Sequence, residues 1–226
     1  MLTNRTTYLE IVKQLEEKKV TLVAVSKTKP ADAIKELYDL GQRDFGENYV
    51  QELVDKQGQL PGDIRWHFIG HLQTNKVKFI APFVHLIHGV DSFKLLKEIN
   101  KQAQKVGRII DVLLQVHIAK EETKFGLDEQ ELSELLNTNS GELHDLKNVR
   151  IVGLMGMASF TEDEGVIRKE FHYLKTLFDK YAPVQTANPW GVLSMGMSSD
   201  YRMAIEEGST MVRIGSLLFG ARDYGK

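Results

Sequence analysis

Eight short apolar runs, each followed by a segment of helical periodicity, predict an α/β fold for this chain: a (βα)8 TIM barrel with an extra N-terminal helix. Three observations carry that expectation. The runs read as strands buried on both faces. Helical stripes separate them, as crossovers between parallel strands require. Eight such units fill 226 residues, near the ~250 of a typical closed barrel. An open doubly wound sheet with fewer strands is the competing architecture. No linker, low-complexity tract or charge block divides the chain, so residues 1–226 are expected to form one domain, with the helix over 1–19 and the barrel over 20–226.

Taken in order, Tyr8, Ile11, Val12 and Leu15 share one helical face. The first strand is VTLVAVSK, Val20–Lys27. Pro30 breaks the run, Asp32 offers a cap, and Ile34, Leu37 and Tyr38 form a stripe ending at Gly41. Strands follow at Arg43–Glu47, Ile64–Ile69 and Val84–Val90, with helices near Tyr49–Gln57, Lys76–Ile80 and through Phe93, Leu96, Ile99 and Ala103. Ile109–Ile118 is the fifth strand, and Asp128 with Glu131 resembles a capping box before Leu132, Leu135 and Leu136. Val149–Met157 is the sixth. Ile167, Phe171, Leu174, Phe178 and Tyr181 then step by four and three, a strong helical signal. Gly191–Met195, a short helix over Asp200–Glu207, and Thr210–Ile214 complete the alternation.

Composition excludes several function classes. A net charge of -2 encodes no general pull toward nucleic acid or acidic membranes. With no cysteine there is no disulfide, thiolate nucleophile or Cys metal site. The N-terminus lacks a secretory h-region, and no run is long enough for a membrane helix, so a cytoplasmic location is expected. Asn4-Arg5-Thr6 is read as a chance glycosylation pattern. His67 and His71 are spaced by four but lack the glutamate of a zinc motif, and His85, His88 and His117 have no ligand spacing; His67 is read as core. Neither a metal nor a dinucleotide is expected.

In a barrel the active site forms at the strand C-termini, often with a phosphate after strands seven and eight. Those positions hold Lys27, Glu47-Asn48, Gly70-His71, Asp91, His117, Met155–Met157, Ser194–Ser199 and Arg213–Ser216. Ser198 and Ser199 open a helix, and Gly215 and Ser216 form a second donor-rich turn, a plausible phosphate cup. Either turn could equally be an ordinary N-cap. Val23, Val25 and Lys27 share one face of their strand; if it points inward, apolar walls favour the neutral, nucleophilic amine. Otherwise Lys27 and Lys29 are solvated ends. Arg213 lies within the last strand and must find a partner or face solvent on the helix side, a structural salt bridge being one alternative. Met155, Met157, Met195 and Met197 are divided between core filler and pocket wall.

AVSKTKP (Ala24–Pro30), FGENYVQE (Phe45–Glu52), WHFIGHLQTNK (Trp66–Lys76), LMGMA (Leu154–Ala158), SMGMSSDYRMAI (Ser194–Ile205) and GSTMVRIGSLLFG (Gly208–Gly220) occur in that order. Together they resemble the pyridoxal 5′-phosphate homeostasis protein family over nearly the whole chain. The resemblance implies a barrel like the N-terminal domain of alanine racemase that holds pyridoxal 5′-phosphate (PLP) as a Schiff base on Lys27. It implies that Ser198, Gly215 and Ser216 contact the phosphate and that Arg213 faces the pyridine nitrogen, with Asn48, His71 and Met157 as pocket neighbours. It further implies a PLP carrier or buffer without dedicated catalysis, a monomer that serves PLP-dependent apoenzymes as recipients. With few residues after the eighth strand, the second domain of a racemase is not expected. A PLP-dependent racemase or lyase, or a Schiff-base aldolase acting on a phosphorylated substrate, remains the alternative.

Overall fold

The stripe of Tyr8, Ile11 and Leu15 is buried along one side of helix α1 (Arg5–Lys18). Asn4 opens that helix by accepting from the Thr7 N–H, and Lys19 closes it with a left-handed backbone (φ 56°). The computed structural model describes residues 2–121, 125–138, 140–182 and 190–220.

Eight strands follow: β1 (Thr21–Val25), β2 (Asp44–Glu47), β3 (Arg65–Phe68), β4 (Leu86–Val90), β5 (Ile110–Gln115), β6 (Val149–Met155), β7 (Val192–Ser194) and β8 (Met211–Ile214). Each pairs in parallel with the next, and β8 pairs with β1, so the sheet closes. The crossovers carry α2 (Ala31–Asp39), α3 (Val50–Gln57), α4 (Val77–Ile80), α5 (Phe93–Lys105), α6 (Glu129–Ser133), α7 (Ser140–Asp145), α8 (Glu164–Tyr181) and α9 (Tyr201–Glu206). A last turn, α10 (Ser216–Phe219), follows β8. The closed barrel is the predicted architecture, and the open sheet is excluded.

Several strand ends are trimmed relative to the sequence expectation, and three local differences matter most. The first strand stops at Val25, which leaves Lys27 in a turn. Pro30, not Asp32, occupies the N-cap of α2; Asp32 sits in its first turn, where the helix dipole favours a carboxylate. The segment holding Leu135 and Leu136 leaves α-geometry after the Asp128–Glu131 capping box and continues as a wider π-turn over Glu134–Thr138. Among the described residues, no helix is long and apolar enough to cross a membrane.

Strand alternation sorts side chains into two cores. Val23, Leu86, Leu113, Met155 and Met211 fill the barrel interior. Their alternates, among them Leu22, Ala24, Phe45, Phe68, Ile87 and Val212, pack outward against the helices. On β6 the register shifts by one, so that Val112 pairs with Ile151 but Leu113 with Gly153. A side chain at Gly153 would place its Cβ 1.7 Å from the Val192 carbonyl, so the bulge admits only glycine.

Candidate functional site

A cavity of about 480 Å3 opens at the C-terminal mouth of the barrel, within the range of small-molecule sites. Lys27, Asn48, Met157, Ser198, Arg213, Gly215 and Ser216 all line it, together with Val25, Lys29, Ile69, Met197, Ser199 and Phe160. Three cations face this space, and no carboxylate does among the described residues that line it. Val23 and Val25 lie on the inward face of β1, and the turn that follows carries Lys27 to the same cavity. The methionines divide evenly: Met155 and Met195 are buried core, while Met157 and Met197 are walls of the cavity.

The lysine turn is clamped from behind. Ser26 donates through Oγ to Glu47 Oε1 (2.6 Å), and the Thr28 N–H donates to Glu52 Oε1 (2.6 Å). Between them Lys56 Nζ donates to Glu47 Oε1 (2.7 Å), Glu52 Oε1 (2.7 Å) and the Ser26 carbonyl (2.8 Å). Lys27 is half-buried at the centre of this turn, and Thr28 holds φ 64°, an uncommon conformation for a β-branched residue. Glu47 thus lies at a strand end, as expected, but its side chain turns outward onto α3. Its Oε2 is buried without a hydrogen-bond partner, and burial, opposed by Lys56 and Ser26, raises its carboxyl to about 7.

The two turns after β7 and β8 meet. Gly215 donates its N–H to Ser198 Oγ (3.2 Å), and Asp200 Oδ1 accepts from the Met197 N–H, fixing the serine turn at the start of α9. Arg213 points into the barrel rather than to the helix side. It is 4% exposed, and its hydrogen bonds go to Ser194 Oγ (2.7 Å) and the Gly156 carbonyl (3.1 Å), not to a carboxylate. Burial lowers the guanidinium to about 10, with Asp200 opposing, so it remains charged at neutral pH.

His71 lies outside this cavity. Its ring stacks on Phe125 (4.1 Å between centroids), its Nδ1 is 3.2 Å from Asp91 Oδ2, and it lines a neighbouring space of about 410 Å3 shared with Asn48. His117 is likewise engaged elsewhere, on the Glu121 carbonyl. A larger cavity of about 670 Å3 shares Ser198, Ser199 and Leu217, but it lies against α1 and α9, carries Glu10, Glu164 and Asp200, and is not lined by Lys27.

Sequence reasoning missed two buried assemblies. One is the Glu47–Lys56–Glu52 clamp. The other fills the barrel interior: Asp44, His67, His88, Ser194 and Arg213 form one hydrogen-bonded chain. Inward alternation on each strand was the available signal.

The chain matches the family described as "Alanine racemase, N-terminal domain" over residues 5–223. The pyridoxal phosphate homeostasis protein of Aquifex aeolicus (strain VF5) is 44% identical over 205 residues, covering 90% of this chain and 87% of the relative. PipY of Synechococcus elongatus PCC7942 is 36% identical in structures solved without PLP (TM-score 0.87, covering 95% of this chain and 99% of that one) and with PLP bound (TM-score 0.82, covering 93% and 99%). A Bartonella henselae alanine racemase with covalently bound pyridoxal phosphate shares the fold at 16% identity (TM-score 0.69), covering 94% of this chain but 58% of its own. By fold, extent and identity, this chain belongs to the pyridoxal phosphate homeostasis protein family, within the wider group built on the alanine racemase N-terminal domain.

Proposed function

We propose that this protein binds PLP at the barrel mouth through Lys27 and serves PLP homeostasis as a carrier or buffer, without dedicated catalysis. The observation that carries this is the charge of the cavity: Lys27, Lys29 and Arg213 converge with hydroxyl-bearing turns, and no described lining residue is acidic. Such a set suits a phosphorylated, anionic ligand. When bound, PLP supplies an aldehyde that condenses with a lysine amine, with loss of water, to a coloured imine.

Each residue then has a task. The Glu47–Lys56–Glu52 clamp aims the Lys27 amine into the cavity. Ser198, Gly215 and Ser216 hold the phosphate, and the Gly215 N–H given to Ser198 Oγ joins the two turns while leaving the serine hydroxyl hydrogen for the ligand. Asn48 and Met157 flank the ring. Arg213 faces the ring nitrogen; a guanidinium only donates, so it bonds an unprotonated nitrogen and disfavours the protonated ring that would act as a strong electron sink. His71 borders the entrance instead of touching the ligand.

The absence of dedicated catalysis rests on the same wall. Besides lysine and arginine, the described lining residues include no histidine, tyrosine, aspartate or glutamate, the groups that most often move protons near neutral pH. Racemisation takes a proton from one face and returns it on the other, and among the described lining residues only lysine amines are offered for that work. The proposal extends to a cytoplasmic monomer handing PLP to apoenzymes.

Purified protein given PLP is expected to absorb in the visible band of the lysine-bound cofactor. Lys27→Ala should abolish that band while the protein remains folded by circular dichroism. An unchanged spectrum in the variant overturns the assignment of Lys27. Amino-acid racemisation faster than with free PLP, and lost in Lys27→Ala, overturns the non-catalytic role.

A further inference from the structure

Five side chains from five strands connect the floor of the cavity to the opposite end of the barrel. Arg213 Nη1 donates to Ser194 Oγ (2.7 Å), and Ser194 Oγ is 3.2 Å from His88 Nδ1. His88 Nε2 is 2.9 Å from His67 Nδ1, and His67 Nε2 is 3.0 Å from Asp44 Oδ1. Asp44 is the first residue of β2, where Arg65 also binds both of its carboxylate oxygens. The four inner members are each less than 5% exposed. Asp44, His67 and His85 also bring three ligand atoms within 4.8 Å of one another. A guanidinium already occupies that carboxylate, so the cluster reads as the anchored end of the chain and not as a cation site.

The proton positions follow from what each group can do. Arginine only donates, so Ser194 Oγ accepts from it. An ionised Asp44 only accepts, so His67 carries hydrogen on Nε2. One hydrogen lies between the two imidazoles. If it belonged to a charged His67, a neutral His88 would carry its own hydrogen on Nδ1, pointed at Ser194. The serine oxygen would then accept twice, and its hydroxyl hydrogen would have no acceptor among its described contacts. If it belongs to His88 Nε2, every bond in the chain is made: the bare His88 Nδ1 accepts from the Ser194 hydroxyl. Burial, with the charge of Arg213 adding to it, disfavours a charged His88, which agrees with this arrangement.

We propose that the chain is a one-way hydrogen-bond relay, Arg213 to Ser194 to His88 to His67 to Asp44, in which Ser194, His88 and His67 are positioning residues for Arg213. Asp44 sets the direction from the far end. With its proton committed to His88, Ser194 presents a lone pair to Arg213. Together with the Gly156 carbonyl it fixes the plane of the guanidinium and directs the rest of the fork to a ligand. Its effect on ligand binding rests on the proposed PLP site; its direction does not.

Proton–nitrogen correlation spectra of the 15N-labelled full-length protein, recorded without PLP, read the histidine tautomers directly. His67 and His88 are both expected as neutral rings with hydrogen on Nε2, and Ser194→Ala should shift the His88 Nδ1 resonance as that acceptor loses its donor. A charged ring on either histidine, or hydrogen on His88 Nδ1, overturns the direction. In PLP titrations, Ser194→Ala should weaken binding about tenfold, as loss of one hydrogen bond to a charged group implies, with Lys27 still forming its coloured adduct. Ser194→Thr, which keeps the hydroxyl, should restore most of that loss. Binding by Ser194→Ala equal to that of wild type overturns the positioning role. A wild-type protein that takes up no PLP defeats the proposed function, whereas the tautomer spectrum still decides the relay.

Discussion

Two buried polar assemblies sit on opposite sides of the barrel wall, and they solve burial differently. The inner chain, from Asp44 to Arg213, gives each member a partner and has cations at both of its ends. The outer clamp packs two carboxylates around one ammonium and leaves Glu47 Oε2 with none. Both assemblies support a cation that faces the cavity, Arg213 in one case and Lys27 in the other. The difference lies in what each stores. A satisfied chain fixes direction, while an unsatisfied carboxylate stores a group ready to take a proton near neutral pH.

The largest expected effect comes from removing the ammonium of the clamp. Lys56→Met leaves Glu47 and Glu52 without their shared cation, and breaking a buried pair costs about 3–5 kcal/mol. The loss should be greatest at pH 8 and smaller at pH 5, where Glu47 can take up a proton in compensation. Urea denaturation at the two values measures this. Equal losses would mean that Glu47 is not the group that responds.

The two assemblies should also tilt stability in opposite directions with pH. The folded Glu47 carboxyl is raised to about 7. Its contribution is therefore full below the unfolded glutamate value and is lost as pH rises through about 7. Burial alone would raise Asp44 too, but hydrogen bonds from Arg65 and His67, with the charge of Arg65, prevail and hold it well below the ordinary aspartate value. Its contribution is present above the unfolded value and is lost as pH falls through the folded one. Glu47→Gln should flatten the decline toward neutral pH by on the order of 2 kcal/mol, and Asp44→Asn should flatten only the acid limb. Melting curves across pH separate them; a shared limb would merge the two assemblies into one.

This contrast also marks what the sequence could reveal. Short apolar runs exposed all eight strands and period-3.6 patterning the α1 stripe, because burial writes itself locally along a chain, and the capping box at Asp128 was legible from residue type and spacing. Lys27, Ser198, Arg213, Gly215 and Ser216 were legible as strand-end residues once a barrel was assumed, and the structure gathers them in one cavity. His71 occupies the same kind of position, yet its ring turns to Phe125 and Asp91, a rotamer choice that spacing does not encode. For the inner chain, alternation could place each member inward but could not pair them. His88 and Ser194 are 106 residues apart, and only closure of β8 onto β1 makes them neighbours. Glu47 had the correct strand position and the wrong side: alternation from the inward-facing Asp44 sends it out to Lys56.

The smallest effect tests whether the clamp imposes strain on the lysine turn. Thr28 has a left-handed backbone (φ 64°) while its N–H is held by Glu52. For an L-residue that conformation costs roughly 1–2 kcal/mol, and glycine escapes it at a backbone-entropy cost of roughly 0.5–1 kcal/mol. Thr28→Gly should therefore raise stability slightly, by up to about 1 kcal/mol, with the Glu52 bond retained because the amide is unchanged. The inner chain has no counterpart, since none of its members has a positive φ. If Thr28→Gly is stabilising yet binds PLP more weakly, the strained turn is part of how Lys27 is aimed. If stability falls, the threonine side chain makes contacts that outweigh its backbone conformation, and the clamp holds an unstrained turn.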